Sequence, residues 1–322
     1  MSIYHRKNSA LLLHVLNMTN KMPDTAYISK ITHGSTEDGR GIRTVVFFGG
    51  CGLGCRWCHN PECIPRGPIL MHFENKCISC GQCVKICREV FGMTAEGIVI
   101  DRTKCDGCGK CISHCLGDAL AISQCKMTFE KIFEEIEKDK SYYKYSGGGV
   151  TFSGGECLMQ PKMLKSLLKK CATEGINTCI ESCFDVPYEV IEGIYQYVNS
   201  FFIDIKHMDP DIHRYYTGRG NGRILSNIRK IFQNHGDITF RIPLIPGVND
   251  SMENLEKSVD FVASLKGKSE KRIEVLKYND FAAPKYRSIG RNFANFGKPQ
   301  SDDELSHLKT HLNSLYENVK VI

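Results

Sequence analysis

Long apolar runs are missing from this sequence. No stretch approaches the ~20 consecutive apolar residues that a spanning helix needs, so no membrane-crossing helix is expected. Low-complexity segments are absent too, and a composition of 42% hydrophobic and 24% charged residues is that of a folded globular chain. At 322 residues there is room for one large α/β domain plus an insertion. The formal charge is +6, yet no basic stripe interleaved with aromatics accompanies it, so nucleic acid is not an expected partner. Near the start, Ala10-Leu11-Leu12-Leu13-His14-Val15-Leu16 lies behind basic residues as in a secretory signal, but no small-residue cleavage site follows cleanly. Residues 1–26 are therefore expected to form a helical extension or an upstream start.

Cysteine, by contrast, is abundant: there are 17, many at metal-ligand spacing. Such thiols would oxidise outside the cytosol, which points to a cytoplasmic protein. The stretch Cys51-Gly52-Leu53-Gly54-Cys55-Arg56-Trp57-Cys58-His59-Asn60 carries three of them at x3 and x2 spacing. Three thiolates can wrap one [4Fe–4S] cube and ligate three irons, leaving the fourth open as a catalytic metal site keeps one position open. A zinc knuckle or an incidental cluster is the plainer reading of that spacing alone, because Cys-x2-Cys pairs are common zinc ligands.

Composition changes between about Gly67 and Lys126. Cys77-x2-Cys80-x2-Cys83-x3-Cys87 is followed by Cys105-x2-Cys108-x2-Cys111-x3-Cys115, an internal repeat of about 28 residues. Eight cysteines in register match two copies of the bacterial ferredoxin run, in which the fourth cysteine of each run ligates the other cluster. One cube is accordingly assigned to Cys77, Cys80, Cys83 and Cys115, and the other to Cys105, Cys108, Cys111 and Cys87. Arg88 and Leu116 stand where proline usually follows, which concerns the turn more than the ligation. A double zinc site is the alternative. Three clusters on eleven thiolates would add roughly −5 and bring the loaded protein near neutrality. Of the other six cysteines (Cys63, Cys125, Cys157, Cys171, Cys179 and Cys183) several sit in apolar surroundings and are expected to be small core residues, with Cys157, which follows a glycine motif, the exception to watch.

The rest of the chain alternates strand and helix. Residues 42–48 are a continuous β-branched and aromatic run, suited to a strand buried on both faces. After an amphipathic helix at 129–140, a second strand runs into the glycine turn Ser153-Gly154-Gly155-Glu156. Glycines let the backbone approach a ligand closely, and a strand end with a carboxylate suits a cationic amine. Further strands are expected at 176–182, 201–206, from 238 into the loop ending at 249, and at 273–279, with helices at 161–172, 187–198 and 302–316. Six such strands give an α/β fold, a partial (β/α)6 barrel of TIM type open on one side. The three-cysteine loop follows its first strand, at the end where such barrels place their chemistry. Asp204 and Lys206, spaced i, i+2, point to one face of their strand; an internal ion pair is the plain reading. Arg241 alternates inward and is suited to clamping a carboxylate.

On these residues the chain resembles glycyl-radical-enzyme activating enzymes of the radical S-adenosylmethionine superfamily, over about Ile28 to Arg291. The carriers of the resemblance are the Cys-x3-Cys-x2-Cys loop, the Ser153-Gly154-Gly155-Glu156 turn on the next strand, and the double cysteine run between them. It implies a barrel at 27–66 and 127–322, interrupted by a ferredoxin-like insert at 67–126. It implies an oxidoreductase that cleaves S-adenosylmethionine to methionine and a 5′-deoxyadenosyl radical, which takes a hydrogen atom from a glycine of a partner glycyl radical enzyme. Catalytic roles are implied for Cys51, Cys55, Cys58 and Lys206, the last facing the methionine carboxylate. Cofactor contacts are implied for Trp57, His59, Asn60, Ser153, Gly154, Gly155, Glu156, Glu181, Ser182, Asp204, Lys206 and Arg241. The implied cofactors are three [4Fe–4S] clusters, S-adenosylmethionine and a monovalent cation, whose positions in similar enzymes match Glu181, Ser182 and Asp204. A monomer fed electrons by flavodoxin or ferredoxin is expected, with the extra clusters relaying electrons or docking the partner.

Short pyruvate formate-lyase activators lack the insert, so a dehydratase, lyase or decarboxylase partner is expected. Residues Ile203-Asp204-Ile205-Lys206-His207-Met208-Asp209 are similar to those of activators serving arylacetate decarboxylases or benzylsuccinate-type synthases. Relatives usually have proline at Cys157 and histidine at Asn279, so no imidazole role carries over to the latter. Another radical S-adenosylmethionine enzyme that modifies a peptide or small molecule is the alternative. A ferredoxin-like electron carrier is a third reading, but it leaves the three-cysteine loop and the glycine turn unexplained.

Overall fold

The structure, a computed structural model, describes residues 25–267 and 270–322. The extension expected at 1–26 therefore lies, up to Asp24, outside the described residues. In chain order the first strands are β1 (Ala26–Ser35), β2 (Arg43–Phe48), β3 (Leu70–His72), β4 (Phe91–Thr94), β5 (Gly97–Ile100), β6 (Leu120–Ile122) and β7 (Cys125–Met127). They are followed by β8 (Gly149–Gly154), β9 (Asn177–Ser182), β10 (Ser200–Asp204), β11 (Asp237–Pro243), β12 (Glu270–Leu276) and β13 (Val319–Val321).

Nine strands form one mixed sheet in the order β13-β12-β11-β10-β9-β8-β2-β1-β7. From β2 through β8 to β13 every neighbouring pair is parallel, while β1 and β7 add antiparallel strands beyond β2. The six strands expected from the sequence are all present and sit side by side. The short strands β7 and β13, and the pairing of β1, were not expected.

Strand alternation separates two unlike faces. On one, Phe201, Ile203, Ile238, Phe240 and Ile242 are fully buried against Leu164, Leu167, Ile228 and Ile231 of the helices Pro161–Thr173 and Gly222–Phe232. Burying each such side chain is worth about 1.5–3 kcal/mol. On the other face Phe202, Asp204 and Arg241 stay half-buried. The apolar face holds the sheet together and the polar face is left for chemistry.

Helix starts are set by caps directly after the strands. Asp209 accepts from the backbone N–H of Asp211 and Ile212, both at 2.9 Å, to open Pro210–Thr217. Ser251 caps Met252–Ser264, and Ser301 with Glu304 forms a capping box at Asp302–Leu315. The helix expected at 187–198 spans only Tyr188–Glu192, because Gly193 ends it and a single turn, Tyr195–Tyr197, follows. Between β2 and β8 the chain builds the two-stranded pairs β3–β6 and β4–β5 around a separate small core of Leu70, Val90, Phe91, Cys111 and Leu120. Of the six remaining cysteines five are buried, Cys157 among them, and Cys125 is exposed on the outermost strand β7. No described helix is long and apolar enough to cross a membrane.

Candidate active site

The three-cysteine loop leaves the carboxyl end of β2 and is pinned by backbone hydrogen bonds from distant elements. Gly50 and Cys51 donate to the carbonyls of Cys63 and Ile64, and Gly54 and Arg56 donate to those of Thr217 and Tyr216. Lys285 Nζ reaches His59 O at 2.8 Å and Asn60 Oδ1 at 2.7 Å, and Tyr286 Oη reaches Arg56 O at 3.2 Å. Trp57 is buried among Tyr216 and Phe296. Burial lowers His59, with the backbone of Asn279 opposing the shift.

Within the loop, backbone N–H groups of Leu53 and Asn60 donate to Cys51 Sγ and Cys58 Sγ, both at 3.4 Å. Burial pushes the Cys55 thiol up to about 11 and Cys58 higher still. Cys51 moves the other way, chiefly through a hydrogen bond with Cys183. Thiols this buried are protonated at neutral pH, and ligation of a metal would displace that proton. Among the described residues no three Cys, His, Asp or Glu side chains converge tightly enough for a single metal ion. Thiolates on a cube each bind a different iron and stand wider apart.

The glycine turn lies against this loop. Gly155 N donates to Phe48 O at 2.8 Å and Glu156 N to Gly50 O at 2.7 Å. A Cβ at position 155 would stand 2.5 Å from Gly50 O, and Gly154 has φ +112°, so both positions require glycine. Glu156 is turned inward and 1% exposed. Its carboxylate accepts from Ser182 Oγ (2.8 and 2.9 Å), Cys183 N, Cys183 Sγ and Leu158 N. Sequence reasoning placed Glu156 toward an amine and did not foresee that Ser182 and Cys183 would occupy it.

On the polar face the charged residues are joined in a row. Ser153 Oγ donates to Glu181 Oε2 at 2.7 Å, and Arg241 bonds Glu181 Oε1 at 2.5 Å and Glu274 Oε2 at 3.0 Å. The same guanidinium donates to Glu37 O at 3.0 Å and covers the Phe202 ring. Burial lifts Glu181 above the ordinary carboxylate range, with Arg241 opposing it. Lys206 forms the ion pair with Asp204 at 2.9 Å and is nearly buried. Burial works to lower Lys206, but the Asp204 carboxylate outweighs it and holds it above its ordinary value. Ser182, next to Glu181 in the strand, points to the opposite face and spends its hydroxyl on Glu156, so the three side chains expected around a cation are not gathered together.

Within residues 67–126 a cavity is lined by Cys77, Cys80, Cys83 and Cys115, together with His72, Ile78, Ile98 and Leu120. Burial raises Cys83, with Cys77 and Cys115 adding to it. Cys111 is pushed up to about 11 by burial, with Cys105, Cys108 and Cys83 adding to it. Cys87 and Cys105 flank the small core that contains Cys111.

Residues 114–262 match the Radical SAM superfamily. The chain is 37% identical over 309 residues to the choline trimethylamine-lyase activating enzyme of Oleidesulfovibrio alaskensis, covering 92% of this chain and 98% of that protein. It is 38% identical over 269 residues to the (2S)-3-sulfopropanediol dehydratase activating enzyme of Klebsiella oxytoca, covering 82% and 85%. The fold is similar to that of SuiB from Streptococcus suis bound to the precursor peptide SuiA, with 14% identity, a TM-score of 0.50 and coverage of 84% of this chain and 46% of that one. A cysteine loop and a glycine turn, at the ends of adjacent parallel strands in such a chain, define a radical S-adenosylmethionine enzyme. Within that class the chain belongs to the glycyl-radical-enzyme activating enzymes, whose family implies a [4Fe–4S] cluster and S-adenosylmethionine.

Proposed function

We propose that this protein activates a glycyl radical enzyme of the lyase, dehydratase or decarboxylase kind, from a partial (β/α)6 barrel that carries two further clusters on its insert. The observation that carries the reading is the backbone zipper between the cysteine loop and the glycine turn, Gly155 to Phe48 and Glu156 to Gly50. It sets the three-cysteine loop and the end of the next strand side by side. The names of the relatives, a lyase activator and a dehydratase activator, support the partner class.

Cys51, Cys55 and Cys58 would hold the catalytic cluster, and the glycine turn would offer Ser153, Gly154 and Gly155 to the cofactor's amino group. When bound, cluster and cofactor would supply a one-electron reduction of the sulfonium and a radical able to take a hydrogen atom from a glycine Cα. Lys206, charged and shielded from water, faces the cofactor carboxylate. Asp204 keeps it oriented. Arg241 is committed to two carboxylates and a carbonyl, and it braces Glu181 and Ser153 rather than holding a free ligand. Glu156 acts on the site through Ser182 and Cys183. Glycine suits the reaction because its radical spreads into both flanking peptides and no side chain obstructs approach.

The cavity lined by Cys77, Cys80, Cys83 and Cys115 supports the crossed ligation of the two further clusters, with Cys105, Cys108, Cys111 and Cys87 on the other. Clusters held by these cysteines would relay electrons supplied by flavodoxin or ferredoxin. Activity is tested with dithionite and a partner deuterated at glycine. Label recovered in 5′-deoxyadenosine supports the reading; unlabelled 5′-deoxyadenosine points to a different radical substrate.

A further inference from the structure

We infer that His72 donates a hydrogen bond to a sulfur of the cluster held by Cys77, Cys80, Cys83 and Cys115, and so raises the reduction potential of that cluster alone. The inference rests on the two further clusters proposed above. Its starting point is an orphaned atom. His72 is 9% exposed, and its Nε2 is buried without a hydrogen-bond partner among the described residues. Native folds leave few buried polar atoms unpaired, and each such atom points to a partner outside the chain. The same residue lines the cavity formed by the four cysteines. Gln82 apart, every other side chain lining that cavity is a thiol or apolar. Cluster and thiolate sulfurs only accept, so a ring that bonds one carries its proton on Nε2.

The backbone fixes where His72 stands. It pairs with Leu120 across the antiparallel ladder of β3 and β6, and Phe73 N donates to Ala119 O at 2.8 Å. Ala119 N in turn donates to Cys115 Sγ at 3.2 Å. The neighbour of the ladder partner of His72 therefore already bonds a sulfur of this set. Leu70, two residues earlier and so on the same face of β3, is sealed in the small core.

The internal repeat shows what is particular to this position. Cys77 and Cys105 open the two runs, and five residues before them stand His72 and Ile100. Ile100 packs against the small core and has no side-chain proton to donate. One of two similar sets of four thiols thus has a side-chain donor at a place where the other has a hydrocarbon. Reduction adds negative charge to a cube and its sulfurs, and an N–H directed at a sulfur stabilises that charge.

The test uses the full chain with its clusters loaded anaerobically. Wild-type protein carrying 15N-labelled histidine, reduced and read by pulsed electron–nuclear double resonance, shows a weak nitrogen coupling on the cluster signal that Cys80→Ala removes. In a potentiometric titration His72→Phe lowers the reduced-to-oxidised ratio of that cluster about tenfold at a fixed potential, a shift of about 59 mV for a one-electron couple. His72→Gln keeps an N–H and recovers part of the shift, and the other two signals hold their midpoints. An unchanged midpoint in His72→Phe overturns the inference, as does an equal shift of all three signals. Should His72→Phe fail to hold the cluster, the wild-type coupling decides, and its absence overturns the inference. Loading of about four iron atoms per chain instead of about twelve refutes the further clusters themselves, whereas about twelve with no nitrogen coupling refutes only the role of His72.

Discussion

Glu156 accepts two hydrogen bonds from Cys183 on the same carboxylate oxygen, from the backbone nitrogen at 3.0 Å and from Sγ at 3.1 Å. Two strand ends, those of β8 and β9, are locked together by one buried side chain. Glu156→Ala strands Ser182 Oγ and Cys183 N in a site without water, at about 1–3 kcal/mol for each unsatisfied donor. Anaerobic denaturant unfolding is expected to show that loss, with Glu156→Gln milder because it can still accept from Ser182. A Glu156→Ala protein as stable as the wild type would refute the bracing role.

Arg241 joins Glu181 on β9 to Glu274 on β12. Its removal leaves two carboxylates on the polar face without their cation. Arg241→Ala is expected to cost about 3–5 kcal/mol, and Arg241→Lys recovers only part, since an ammonium cannot span both acids in one plane. Denaturation midpoints of the three proteins check the order.

Much of this arrangement was legible beforehand. The six parallel strands follow from apolar runs that the helices cover, and the register of cysteines marks the loop and the insert. What was hidden depends on contacts between residues far apart in the chain. Gln124 bonds Glu62 O and Pro65 O, Gln160 bonds Tyr27 O and Gly49 O, and nothing local in the sequence marks either glutamine. Glu156 read as a ligand because its motif was read without its neighbours. The available signal was alternation in β9, which puts Ser182 on the face opposite Glu181 and therefore next to Glu156. The grip of Lys285 and Tyr286 on the cysteine loop is likewise long-range and unmarked locally.

Lys206→Ala is expected to weaken S-adenosylmethionine binding by about 10–150-fold, the range of one hydrogen bond to a charged group. The spectrum of the reduced cluster without cofactor stays unchanged, because Lys206 is not a ligand. Equal affinity in variant and wild type would remove Lys206 from the cofactor site.

Cys55→Ala and Cys80→Ala should each lower the iron content by about four of about twelve atoms per chain. Only Cys55→Ala abolishes 5′-deoxyadenosine formation under dithionite. Cys105→Ala keeps that reaction but slows activation when a protein donor supplies the electron. Unchanged rates with protein donor and partner both present would end the relay role.

The central claim is that one cluster, on Cys51, Cys55 and Cys58, has an iron without a protein ligand. Electron paramagnetic resonance of the reduced, fully loaded protein, before and after S-adenosylmethionine is added, tests it most directly. The account predicts that one of three cluster signals shifts and that Cys55→Ala removes that signal alone. Three signals indifferent to the cofactor would contradict it.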